Sequence, residues 1–403
     1  MINRQRLAGE FLRLVQIDSP SKQEGAIAQY VRKIFESLGA EVIEDKAGPF
    51  IGSESGNLIV RIPGTRRDLL PLMFNAHLDT VEPGKGIKVI QEDETFRSDG
   101  RTILGADDKS GIAILIEAVR YLQENKTAHC PLEFVFTVCE EIGLFGAKSL
   151  DYNLLQARMG YALDTSSITR IINGAPEANS LCIKVQGLAA HAGLEPEKGI
   201  NAIQIAGEAL ATVQLGRIDH ETTANIGLVR GGTARNIIPD YIELEGEVRS
   251  HDRRKLADHT EHIRGCFERA VLAYKEKHIP PFEKGGRGGI LKGGDFQGKR
   301  TADDNLPAWH MEVVTEYPLM TVDGSHPVVV LAQEAGKILG RQLTPEKSGG
   351  GSDANIFNAH GIATVILGTG MQSVHSTNEY IHLEDMVQTV QLIMEIISTY
   401  SRS

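Results

Sequence analysis

Leu132-Glu133-Phe134-Val135-Phe136-Thr137-Val138-Cys139-Glu140-Glu141 is an apolar run that stops on two adjacent acids. The pattern recurs along the chain. His77-Leu78-Asp79 closes the run Leu69 to Ala76, and Asp107-Asp108 lies in a glycine-flanked loop. Asp164 follows Tyr161-Ala162-Leu163, and His375 follows Leu367-Gly368-Thr369-Gly370. Each acid or imidazole stands where a predicted strand ends. In an α/β sheet such ends share one edge, and ligands bind in the crevice there. Imidazole with several carboxylates and no cysteine suits zinc, manganese or cobalt in an open, catalytic site.

The 403 residues are enough for two domains and a sizeable core. With 41% hydrophobic and 24% charged residues, the composition is that of an ordinary globular protein. A net charge of −11 disfavours nucleic acid and anionic membranes as partners. The N-terminus runs into an amphipathic helix pattern without the apolar centre of a secretion signal, and the apolar runs are too short to span a bilayer. None of the four cysteines, Cys130, Cys139, Cys182 and Cys266, shows Cys-x-x-Cys spacing, which fits reduced thiols and a cytoplasmic location. Cys139, although beside Glu140, reads as buried strand filler.

Residues 2–40 read as two helices broken at Asp18-Ser19-Pro20, with Ser19 or Ser21 as candidate cap. Strands follow at 40–44, 57–62 and Leu69–Ala76. From Asp108 to Glu124, Ile112, Leu115, Ile116, Val119 and Leu122 recur at helical spacing. Two more strands are Leu132–Cys139 and Gly160–Leu163. Strands alternating with helices predict a mostly parallel or mixed sheet covered on both faces. From 179 to 321 the order becomes β-α-β-β-α-β, the ferredoxin-like pattern, so this segment is expected as a domain inserted between 1–178 and 322–403. Within it, 280–304 is rich in glycine and basic residues and reads as a flexible surface loop.

Taken singly, these motifs have ordinary explanations. His77 and Asp79 are i and i+2 of an extended chain, so they point the same way. The imidazole can bind metal while the Asp79 carboxylate fixes its other nitrogen, or the pair can be a plain strand-end turn. Asp108 can cap the helix that follows while Asp107 faces a metal, and one carboxylate can bridge two cations. Glu140 and Glu141 can share a site only if the chain turns there, which Gly143 permits. One would then bind metal, and the other would move a proton between water and a leaving amine. Asp164 alone would be a turn former, and His375 alone a polar loop residue.

The order of the motifs resembles the zinc aminoacylase/carboxypeptidase family, on Asn75-Ala76-His77-Leu78-Asp79-Thr80-Val81, Gly105-Ala106-Asp107-Asp108-Lys109-Ser110-Gly111, Cys139-Glu140-Glu141-Ile142-Gly143, Ala162-Leu163-Asp164, Gly187 to Gly193, and His375-Ser376-Thr377-Asn378-Glu379. Ser348-Gly349-Gly350-Gly351-Ser352-Asp353-Ala354-Asn355 looks most like the peptidase T-like branch. The resemblance implies a mixed-sheet zinc-exopeptidase domain carrying a ferredoxin-like α+β lid and dimerisation domain. It implies two divalent ions, zinc first, with manganese or cobalt as alternatives. His77, Asp107 and Asp164 would hold one ion; Asp107, Glu141 and His375 would hold the other. Glu140 would be the general acid/base, Asp79 would orient His77, and the Asp107–Asp108 peptide would be cis. His191 would stabilise the oxyanion from a dimer partner. Arg249, Asn236, Arg235 and Ser352 would hold polar groups of the substrate, although Arg249 can equally form a surface ion pair and Ser352 a helix cap.

The reading is therefore a two-metal exopeptidase acting on small peptides, an aminopeptidase of tripeptidase type, working as a homodimer. An N-acyl amino acid deacylase or carboxypeptidase would use the same chemistry. A non-catalytic binding protein would keep the fold and lose the metals.

Overall fold

Three adjacent strands account for the uninterrupted apolar runs. Leu58, Val60 and Ile62, then Leu72, Phe74 and Ala76, then Leu132, Phe134 and Phe136 pack into one hydrophobic core. The residues between them, Ile59, Met73 and Val135, pack into another on the opposite face. Side chains alternate along a strand, so a sheet covered on both faces shows no polar alternation. In the computed structural model, residues 2–278 and 306–402 are described. The 280–304 stretch expected as a surface loop lies outside the described residues.

The chain divides into two compact units, Met1–Ala175 with Tyr317–Ser403, and Pro176–Glu316. In the first, among the described residues, the sheet order is Glu41–Glu44, Leu58–Ile62, Leu132–Thr137, Leu72–His77, Met159–Thr165, Ala363–Gly368, Arg170–Ala175 and Met320–Thr321. Thr344–Lys347 pairs to Arg170–Ala175 off this path. The four strands from Leu132–Thr137 to Ala363–Gly368 are parallel to their neighbours. Leu58–Ile62 and Arg170–Ala175 flank them antiparallel. The sheet is thus mixed, and its four parallel C-terminal ends lie on one edge. Met320–Thr321 pairs with Arg170–Ala175, so this unit resumes ahead of residue 322.

Helix Ala106–Asn125 buries Ile112, Leu115, Ile116, Val119 and Leu122, the stripe read from the sequence. The break after the first helix is present, but neither Ser19 nor Ser21 caps the second. Asn3 caps helix Arg4–Val15 through the Arg6 N–H, and helix Gly25–Ser37 has no side-chain cap. The Ser21 hydroxyl instead donates to the buried Asp79 carboxylate at 2.6 Å. The hairpin of Val89–Glu92 and Thr95–Ser98, extended by Tyr380–His382, was not anticipated, because its short strands are largely polar.

In the second unit the order is Gly216–Arg217, Thr222–Gly231, Tyr241–Ser250, Glu177–Gln186 and Ala308–Tyr317. Helix Ala202–Leu210 follows strand Glu177–Gln186, and helix Arg253–His278 follows strand Tyr241–Ser250. This is the ferredoxin-like arrangement. Leu181, Ile183, Val185, Leu244, Ile263 and Phe267 build its own core.

Phe134 is buried, with ring centroids 5.4 Å from Phe35 and 6.0 Å from Phe74. Phe134→Ala should cost about 3–5 kcal/mol of stability, to be read from urea unfolding at fixed metal content.

Candidate active site

His77 is the last residue of its strand and is buried. Its Nδ1 lies 2.9 Å from the backbone carbonyl of Asp79, and the Asp79 carboxylate is further away at 3.6 Å. A carbonyl can only accept, so Nδ1 carries the proton and Nε2 is the nitrogen free to ligate. The orientation expected from the Asp79 carboxylate is therefore supplied mainly by its main chain. Nε2 lies 3.0 Å from Oδ1 of Asp107.

Asp107 and Asp108 begin helix Ala106–Asn125 but have non-helical dihedrals, and Gly105 before them has φ of 74°, which favours glycine. The peptide between the two aspartates is cis. Asp108 works structurally. Its Oδ1 accepts the Gly111 N–H at 3.1 Å, as a cap does, and its Oδ2 accepts the His77 N–H at 3.2 Å. Asp107 is left facing the imidazoles.

The turn that brings Glu140 and Glu141 together starts earlier than Gly143. Cys139 already has φ of 53°, in the left-handed region. Three consecutive N–H groups are gripped there by two buried acids. Glu24 accepts from Cys139 N–H at 2.9 Å, and Asp79 accepts from Glu140 N–H at 2.9 Å and Glu141 N–H at 3.2 Å. Charge-assisted bonds of this kind are stronger than neutral ones, which helps hold a backbone that a bulky side chain disfavours. Gly146 is needed just beyond, because a Cβ there would sit 2.1 Å from the Val138 carbonyl oxygen. Nothing in the sequence had marked Glu24 or Ser21 as partners of this turn, since both lie more than a hundred residues upstream of it.

His375 arrives on the loop after Ala363–Gly368. Its Nε2 lies 2.9 Å from Glu141 and 3.4 Å from Oδ2 of Asp107. Asp164 ends the apolar part of strand Met159–Thr165, beside the His77 strand, and Asp107, His77 and Glu141 are its electrostatic neighbours. Asp107 therefore offers one oxygen to each imidazole.

The charges explain what the cluster demands. Burial pushes Glu140 and Asp164 well above the usual carboxylate range, and neighbouring acids push them further. Burial also raises Glu141, against the pull of His375. For Asp107 burial works upward too, yet hydrogen bonds with His375 and His77 hold it below its ordinary value. The same bonds, to Asp107 first and Glu141 second, push His375 up to about 10. Ligand atoms of His77, Asp107 and Glu141 lie within 4.8 Å of one another. Imidazole nitrogens and carboxylate oxygens converging at this spacing call for positive charge, from protons or from metal ions, so the donor set fits divalent cations.

A second grouping, Asp219, His220 and Glu221, is already neutralised by Lys255, whose Nζ is 2.8 Å from Asp219 and 2.7 Å from Glu221. Also in the second unit, His191 is exposed and bridges to Ile237, which brings it beside Arg235 and Asn236. Its Nδ1 accepts from the N–H groups of Gly193 and Leu194, both at 3.2 Å, leaving Nε2 as the donor. Arg249 pairs with Glu247 at 2.9 Å. Ser352 is buried in the first unit and caps helix Asp353–Ala359 in a capping box with Asn355.

Imidazoles and carboxylates at the C-terminal edge of a mixed sheet are the equipment of a metal-dependent hydrolase. Residues 73–399 match Peptidase family M20/M25/M40, and the chain belongs to that family. It is 39% identical to the uncharacterised protein YqjE of Bacillus subtilis (strain 168), over 98% of this chain and 99% of the relative. The crystal structure of aminopeptidase PepT from Bacillus cereus ATCC 10987 matches with a TM-score of 0.84 at 39% identity, covering 99% of both chains. A tripeptidase from Staphylococcus aureus subsp. aureus Mu50 matches with a TM-score of 0.88 at 36% identity, covering 100% of both. The chain is a peptidase T-like metallopeptidase that works with divalent metal. Among the described residues, no helix is long and apolar enough to cross a membrane.

Asp79→Asn tests the grip on the glutamate turn. The amide would turn a donor toward a backbone N–H of Glu140 or Glu141. Peptidase kcat should fall about 10–100-fold with an unchanged circular dichroism spectrum.

Proposed function

We propose that this peptidase removes the N-terminal residue from small peptides, tripeptides foremost, with two divalent cations. His77, Asp107 and Asp164 hold one; Asp107, Glu141 and His375 hold the other. The single observation that carries this reading is the Asp107 carboxylate lying between two imidazole nitrogens, 3.0 Å from His77 and 3.4 Å from His375. Imidazole and carboxylate donors in this mixture suit zinc first, with manganese or cobalt as substitutes.

When bound, the cations polarise the scissile carbonyl and acidify the attacking water. Glu140 is the general base. It is buried beside the ligands, and burial raises its affinity for a proton. It takes the proton from water as the new C–O bond forms and delivers it to the amine nitrogen as the C–N bond breaks. Asp79 is a positioning residue, holding the Glu140 N–H with its carboxylate and the His77 ring with its carbonyl. His191 is assigned as a donor to the oxyanion, a role supported by the proton fixed on its Nε2. Arg235, Asn236 and Arg249 are assigned to polar groups of the substrate. Ser352 is assigned there only through the N–H groups of its helix start, since its hydroxyl is engaged in capping. The inserted unit serves as lid and dimer contact, and the enzyme works in the cytoplasm. The aminopeptidase and tripeptidase named above, which match essentially the whole chain, support the choice of substrate.

Glu140→Gln should keep its metal content and lose about 10²–10⁴-fold in kcat; near-native turnover would remove Glu140 from the proton path. Free tripeptides should be cleaved and N-acetylated ones left intact in a chromatographic assay. Turnover of blocked substrates alone would instead make the enzyme a deacylase or carboxypeptidase.

A further inference from the structure

One buried acid next to this cluster has no part in the chemistry above. Glu379 lies four residues after His375 and immediately before strand Tyr380–His382. It is 1% exposed. Its Oε2 accepts the N–H groups of Leu104 at 2.7 Å and Gly105 at 2.8 Å, and its Oε1 accepts the N–H of Asp107 at 3.0 Å. With Gly105 left-handed and Asp107 and Asp108 non-helical, this turn offers those N–H groups no carbonyl of regular structure. A second tie runs beside the first: the Ser98 hydroxyl is 2.6 Å from the Thr102 carbonyl and 3.3 Å from that of Thr377.

We propose that Glu379 is a positioning residue that sets the Asp107 carboxylate against His375, and so governs the cation position those two share with Glu141. The inference rests on the ligand assignment above. One loop carries both His375, whose Nε2 faces Oδ2 of Asp107, and Glu379, which holds the backbone of the same aspartate. Their mutual placement therefore depends on the Glu379 side chain, with the Ser98 tie beside it, bridging two loops that are about 270 residues apart in sequence. The other cation position is anchored differently. His77 and Asp164 stand on paired strands of the sheet, and His77 is further held through its N–H and Nδ1. Asp107 serves both positions, so loss of the Glu379 grip should loosen the His375 position more than the one that His77 and Asp164 also anchor.

Glutamine is the sharpest probe. Its single oxygen can replace one carboxylate oxygen, but its NH2 must then face at least one backbone N–H, donor against donor. Outer partners of metal ligands typically contribute about 10–100-fold in affinity. Purified apoenzyme is titrated with Co²⁺ by calorimetry and visible absorption. Wild type should take two ions. Glu379→Gln should weaken one step only slightly and the other by about 10–100-fold, with kcat recovering as Co²⁺ is raised. Glu117→Gln is the control for losing a buried acid. Glu117 accepts from Arg6 and Asn3 well along the helix, so its loss should lower stability without separating the two binding steps. Two unchanged steps, or two steps weakened alike, in Glu379→Gln would overturn the inference. If that variant does not fold, Glu379→Asp, too short to reach all three N–H groups, is read by the same criteria. Fewer than two ions on wild type would bring down the ligand assignment itself, and this inference with it.

Discussion

Everything at this site turns on like-charge crowding. Asp107, Glu140, Glu141 and Asp164 converge at one sheet edge, with Asp353 buried close behind and contributing to the field at Glu140 and Asp164. Two like unit charges about 4 Å apart repel by about 4 kcal/mol near a protein surface. Two imidazoles cannot balance that many acids. The protein keeps the cluster because its backbone holds the acids there and because positive charge is available from outside. Protons and metal ions compete for the same oxygens and nitrogens, which ties metal affinity to acidity in this protein.

The backbone does that holding with a further ring of acids that never face the ligand space. Glu24, Asp79, Asp108 and Glu379 each accept backbone N–H groups around the strand ends and the helix start beside the site. Two of the residues so held, Cys139 and Gly105, are left-handed, a conformation that regular structure could not satisfy. Negative charge thus serves two ends: the inner acids meet cations, and the outer ones meet peptide N–H groups.

Much of this was legible in the sequence because period and punctuation survive in it. The helix over Ala106–Asn125 announced itself by its stripe, and the central strands by apolar runs ending on acids. The five assigned ligands could be named through the resemblance, on motifs that mostly stand at such endings, while Asp107 opens a helix. The other features depended on contacts between distant segments. No local pattern says that the Ser21 hydroxyl goes to Asp79 rather than to a helix end, or that the Asp79 carbonyl lies nearer the His77 ring than its carboxylate does. Glu379 stood in a quoted motif without a task, since its partners at Leu104, Gly105 and Asp107 become visible only when the chain is folded. The hairpin strands Val89–Glu92 and Thr95–Ser98 escaped because they are short and half polar.

Ser21 and Glu24 give the beginning of the chain a stake in chemistry performed far along it. The glutamate turn is fastened from a segment 115 residues earlier in sequence. Altering Ser21 or Glu24 would therefore disturb proton transfer without touching any residue that meets the peptide.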